Sequence, residues 1–130
     1  MIVLDTHVLI WLLADPERLS EKARKAIHSL KTRGEIPAIS CQSLYEIARG
    51  VVRGRIRVRA PLSVFMESIE MTFDVIPLTA QIGRLAAEFS PGFPSDPFDR
   101  IIAASALARG GPLVTADKNI LRSGELATIW

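Results

Sequence analysis

Ile2-Val3-Leu4 is a run of β-prone apolar residues without polar alternation, and it stops abruptly at Asp5. A strand of this pattern is buried on both faces, so helices must cover it from above and below. The chain supplies them. Ile36–Ser40, Phe73–Leu78, Pro112–Thr115 and Leu126–Trp130 read as further strands, and helical patterns lie between them. Strands alternating with helices predict βαβ units: an α/β fold around a mostly parallel sheet of four to five strands, in one domain over residues 1–130.

The helices have recognisable signals. Thr6 is placed to cap a first helix beginning near His7, with Ile10, Leu13 and Ala14 inward, and Asp15-Pro16 breaks it. Ser20-Glu21 opens a second, with Ala23, Ala26, Ile27 and Leu30 on one face. A third starts at about Ser43, where Ser43 and Glu46 have capping-box spacing, and Gly50 and Gly54 loosen its end. Pro61 opens a fourth, with Val64, Phe65, Ser68 and Ile69 inward. Thr79 caps a fifth. Ser90–Ser95 is a loop by composition. Asp96-Pro97 opens a sixth helix that runs to about Arg109 and ends at Gly110-Gly111.

Composition excludes several classes. A hydrophobic fraction of 48% against 23% charged rules out a disordered chain. One Cys and two His leave no disulfide framework and too few soft ligands for structural zinc. The apolar run Val8–Ala14 is too short to span a bilayer of roughly 30 Å, so no membrane role is expected. Lone Cys41 suits a reducing compartment, and the chain reads as cytoplasmic. A net charge of +2 does not by itself indicate nucleic acid. The crowding of Arg49, Arg53, Arg55, Arg57 and Arg59 does, because phosphate contacts need clustered cations, although such a run is often only a solvated face.

Five acids stand out. In open parallel sheets, sites form beyond the carboxyl ends of the strands. Asp5 and Asp117 each follow a strand, Glu46 lies on a helix that follows another, and Asp99 lies in the first turn of the sixth helix. Each has a plain structural alternative. Asp5 is a natural helix cap, a role Thr6 also suits. Glu46 suits an ion pair with Arg49 or Arg53. Asp117 suits a turn. Asp96 is a cap before Pro97, with a secondary part at the site. Asp99, beside the buried run Ile101-Ile102-Ala103-Ala104, needs a partner, either Arg100 or a metal ion. His7 and His28 read as surface or packing residues.

Carboxylates that converge repel one another, and without a cation one of them takes up a proton. An all-oxygen donor set selects a hard ion, magnesium or manganese, over zinc. Such an ion, keeping several waters, suits in-line hydrolysis of phosphodiesters.

The segments Val3-Leu4-Asp5-Thr6-His7, Ser43-x-x-Glu46, Asp96-Pro97-Phe98-Asp99-Arg100-Ile101-Ile102-Ala103-Ala104 and Leu113-Val114-Thr115-Ala116-Asp117 together resemble PIN-domain ribonucleases, most of all the VapC toxins of toxin–antitoxin pairs. The resemblance spans the chain. It implies a three-layer α/β/α sandwich and a magnesium-dependent endoribonuclease, with manganese able to substitute. It carries over Asp5, Glu46, Asp99 and Asp117 as the catalytic acids and Thr115 as a support; Asp5 and Asp99 are the expected metal ligands, and Thr6 and Asp96 are further expected supports. It also implies a homodimer and a cognate antitoxin that blocks the groove near the acids. The Arg53–Arg59 stretch has no fixed counterpart in the family. Contact of Arg49, Arg53, Arg55 and Arg57 with RNA is therefore an expectation from charge alone. Two rival readings stand beside this one: a phosphatase with Asp5 as covalent nucleophile, and a non-catalytic module of the same fold that binds RNA or protein. No glycine-rich phosphate loop or dinucleotide fingerprint occurs.

Overall fold

The computed structural model describes all 130 residues. Five parallel strands form one sheet in the order β3-β2-β1-β4-β5. They are β1 (Val3–Leu4), β2 (Ala38–Ser40), β3 (Asp74–Ile76), β4 (Leu113–Val114) and β5 (Thr128–Ile129). Seven helices connect or flank them: α1 (Thr6–Ala14), α2 (Glu21–Thr32), α3 (Cys41–Val52), α4 (Leu62–Thr72), α5 (Ala80–Glu88), α6 (Pro97–Arg109) and α7 (Lys118–Ser123). A single 3-10 turn, Pro16–Arg18, separates α1 from α2.

Strand residues alternate between two apolar cores, one on each side of the sheet. Ile2, Leu4, Ile39 and Val114 join Val8, Leu9, Ile27, Leu30, Ile47 and Ile69. Val3, Ala38, Ile76 and Leu113 join Ile82, Ala86, Ile102 and Ala103. Helices α1 to α4 thus cover one face, and α5 to α7 the other. This is the three-layer α/β/α sandwich. No helix is long and apolar enough to cross a membrane.

Several local expectations change. Asp5, not Thr6, occupies the N-cap of α1. Helix α3 begins at Cys41 with Ser40 as its cap, so Ser43 and Glu46 are not a capping box. The segment after Asp117 is a six-residue helix rather than a plain turn. In α1 the core residues are Val8 and Leu9, whereas Leu13 is 47% exposed and Ala14 is exposed. This helix is apolar on most of its surface, so periodicity could not fix its phase. In α4, Phe65 and Met66 pack against the core beside buried Ile69, while Val64 and Ser68 are exposed. The apolar stripe there lies one position from the expected phase.

Beyond α3 the chain turns back on itself. Gly54 has a positive φ of 72°, and the N–H groups of Arg55 and Ile56 both donate to the Gly50 carbonyl. A Cβ on Gly50 would stand 2.6 Å from Ile56 Cδ1. Gly50 therefore permits a close approach rather than loosening the helix.

Arg100 does not pair with Asp99. Its guanidinium turns toward the loop after α5 and donates to the carbonyls of Ala86, Phe89, Ser90, Phe93 and Pro94. Five N–H groups meet five carbonyls, the full donor capacity of the group. This fastens the loop that leads into α6. Replacing Arg100 with Ala strands those acceptors and is expected to cost about 2–3 kcal/mol, read as a lower urea midpoint. Lys, with three donors and no fork, should recover only part of it.

Candidate active site

Register builds the centre of the site. Val3 pairs with Leu113 and Leu4 with Val114, so the residues just past β1 and β4 come out side by side. Asp5 is 4% exposed. Its Oδ1 accepts from the Thr6 N–H at 2.7 Å and its Oδ2 from the Thr115 hydroxyl at 2.8 Å. Both oxygens are thereby oriented, and the second bond joins residues 110 positions apart.

Thr6, released from capping, reaches α3. Its Oγ1 lies 2.8 Å from Glu46 Oε1 and 2.9 Å from Ser43 Oγ. A hydroxyl has one proton. Donation to the carboxylate leaves Thr6 to accept from Ser43, which is fully buried. Ser43 is thus a support that spacing had assigned to a different motif. The expected ion pair of Glu46 with Arg49 or Arg53 does not form, since no salt bridge in the protein includes Glu46. Burial raises the Glu46 pKa. The Thr6 hydrogen bond and Arg49 work against the rise, while Asp5 and Asp96 add to it.

Asp96 and Asp117 each cap a helix. Asp96 Oδ1 accepts from the N–H groups of Phe98 and Asp99. Asp117 Oδ1 accepts from those of Asn119 and Ile120, and its own N–H donates to Thr115. His7 proves structural in a way its sequence context did not show. Its Nε2 accepts from the Ala116 N–H at 2.9 Å. That nitrogen is therefore bare, and the ring proton sits on Nδ1, which is 3.7 Å from Asp5 Oδ2. His7 so ties α1 to the segment carrying Thr115 and Asp117.

Asp99 shows that the acids converge. Burial, and then the charges of Asp5, Asp96, Asp117 and Glu46, raise its pKa from 3.8 to about 7. The four other acids read from the sequence all act on Asp99, and no basic side chain forms an ion pair with it. No three His, Cys, Asp or Glu side chains form a ready-made ligand cage. That spacing does not suit an ion wrapped wholly by protein. A hard ion such as magnesium would need only one or two of these carboxylates and would keep waters for the rest of its shell.

Beside Glu46 opens a cleft of about 240 Å³, lined by Thr6, Glu46, Arg49, Gly50, Arg53 and Arg55, among others. Arg57 instead lines a neighbouring apolar cavity with Ile10, Leu13 and Phe65. Three of the four arginines singled out for RNA thus share a cleft with Glu46, and the fourth faces a different hollow.

The raised Asp99 pKa sets a pH dependence. Between about pH 4 and pH 7 the folded chain holds a proton that the unfolded chain has lost, so metal-free stability falls as pH rises. Asp99→Asn is expected to melt higher than the wild type in EDTA at about pH 8, with the gap closing toward about pH 4. Thermal melts across that range check it.

The PIN domain family profile matches residues 2–126. Ribonuclease VapC22 of Mycobacterium tuberculosis is 30% identical over 131 residues, which is 99% of this chain and 98% of that protein. VapBC2 from Rickettsia felis, solved bound to a fragment of its promoter DNA, superimposes with a TM-score of 0.73. The identity is 19%, over 98% of this chain and 97% of that one. FitAcB from Neisseria gonorrhoeae gives 0.71 at 21% identity, over 98% and 96%. From the family profile and the full-length likeness to VapC22, the chain belongs to the PIN-domain family, among its VapC-type members.

Proposed function

We propose that this protein is a magnesium-dependent endoribonuclease, the toxin of a toxin–antitoxin pair. The observation that carries the reading is Asp99, half-buried among four other carboxylates with no counter-cation. A structural acid in such a place would be paired or replaced. An acid that holds a metal must stay unpaired until the metal comes.

Asp5 and Asp99 are the proposed ligands, and manganese is expected to serve in place of magnesium. The bound ion would supply a water of lowered pKa and neutralise charge on a phosphate oxygen. The remaining work falls to the chain. The Thr6 N–H and the Thr115 hydroxyl aim the two oxygens of Asp5. Glu46, its pKa raised and its position held by Thr6, would accept a proton from the attacking water. Asp117, fixed by its helix cap, completes the acidic rim. Arg49, Arg53 and Arg55 form the cationic wall along which the RNA backbone would lie.

The partner reading rests on relatives. VapBC and Fit complexes and a toxin–antitoxin complex from Klebsiella pneumoniae share the fold, which supports a cognate antitoxin covering the acidic groove. A homodimer and a cytoplasmic setting complete the reading. The first follows the family, and the second follows lone Cys41 and the RNA substrate.

Asp5→Asn and Asp99→Asn should each lower RNA cleavage by about 100-fold or more with the fold intact by circular dichroism. EDTA should stop the wild type, and magnesium or manganese should restore it. Equal rates for the wild type and Asp99→Asn would sink the assignment. RNA bound tightly yet never cut would return the protein to the non-catalytic reading. Replacing Arg53 and Arg55 together should weaken RNA binding and flatten its salt dependence, by about 0.7 in slope for each phosphate no longer neutralised.

A further inference from the structure

Tyr45 and Phe98 each precede one of the proposed catalytic acids, Glu46 on α3 and Asp99 on α6. Their rings meet edge to face, with centroids 5.8 Å apart and planes at 82°. Tyr45 is 56% exposed and Phe98 is half-buried. An exposed Tyr45 ring, backed by the half-buried Phe98 ring, thus stands where the two helices that carry Glu46 and Asp99 meet.

The position of Tyr45 adds a direction. Tyr45 and Arg49 on α3 and Arg53 at its C-cap are spaced four residues apart and fall on one side of the helix. All three are exposed, and none of the three forms a salt bridge. Arg49 and Arg53 line the cleft beside Glu46. One stripe therefore begins at an aromatic pair and continues as unpaired guanidinium groups that line the cleft beside Glu46. Cations that follow a backbone, combined with aromatic faces on which bases lie, are how proteins hold single-stranded nucleic acid.

We infer that Tyr45, supported edge-on by Phe98, is a stacking subsite for an unpaired nucleobase of the RNA, next to the phosphate at the acids. The inference rests on the ribonuclease reading and deepens it. It makes the preferred substrate single-stranded at the point of cleavage, because a base within a duplex cannot present its face to Tyr45.

The test uses the Asp5→Asn protein, so that RNA stays intact, and two probes of equal length. One is a fluorescein-labelled single-stranded oligoadenylate, and the other is the same ribose-phosphate chain without bases. Tyr45→Ala is expected to bind the oligoadenylate about ten-fold more weakly, to bind the abasic chain as before, and to keep the salt dependence of binding. Tyr45→Trp and Tyr45→Phe should retain the affinity. Equal weakening for both probes would show that Tyr45 only packs α3 against α6, and would overturn the inference. So would an unchanged affinity for the oligoadenylate, which would leave the ring pair to packing or to a protein partner. In both cases RNA binding through the arginines survives, and the ribonuclease reading with it. Failure of the protein with Tyr45 intact to bind the oligoadenylate would also overturn the inference, while the ribonuclease reading is decided separately by cleavage with magnesium or manganese.

Discussion

Parallel pairing of β1 with β4 is the constraint on which everything else rests. The two strands come from opposite ends of the chain, yet their register leaves Asp5 within hydrogen-bond reach of Thr115. Strand order reverses at this place, since β2 and β3 lie on one side of β1 and β4 and β5 on the other. A crevice opens where order reverses in a parallel sheet. The fold thus determines where ligands can enter before any side chain is considered.

Into that crevice the chain puts negative charge and withholds positive charge. Arg100 follows Asp99 directly and would be the obvious partner, but its donors are committed to five backbone carbonyls. Arg49 tempers Glu46 without touching it. The nearest cations therefore hold the architecture or face the cleft. Neutral groups do the aiming instead: two threonine hydroxyls, a buried serine and the N–H groups at helix starts. Such donors orient a carboxylate while leaving it able to bind a cation.

The acids and the layer order were legible in the sequence because both are written in short signals. An apolar tripeptide that ends in Asp5 shows strand, exit and acid at once. Asp96-Pro97 shows a cap, and Asp99 follows from its spacing. What was not legible depends on tertiary partners. The phase of α1 was hidden because nearly every residue from Val8 to Leu13 is apolar. The exchange between Asp5 and Thr6, one capping and the other crossing to α3, is decided by Glu46 and Ser43 some forty residues away. The tie between His7 and Ala116 and the turning away of Arg100 are equally non-local, since both depend on which loop carbonyl or N–H the fold brings near. The arginine run was visible as charge, but its division between two hollows was not.

Gly50 determines how the arginine wall stands. Ile56 rests where a side chain at position 50 would begin, so the returning segment lies almost against bare backbone. Its anchor is the C-terminal end of α3, whereas Asp5 and Thr115 sit at the ends of β1 and β4. Chemistry and recognition are consequently mounted on separate footings. One is a sheet edge joined across the whole length of the chain, and the other is a tight local fold-back closed by two hydrogen bonds to a single carbonyl. On the proposed reading, the basic wall can be reshaped within a dozen residues while the paired ends of β1 and β4 stay where they are.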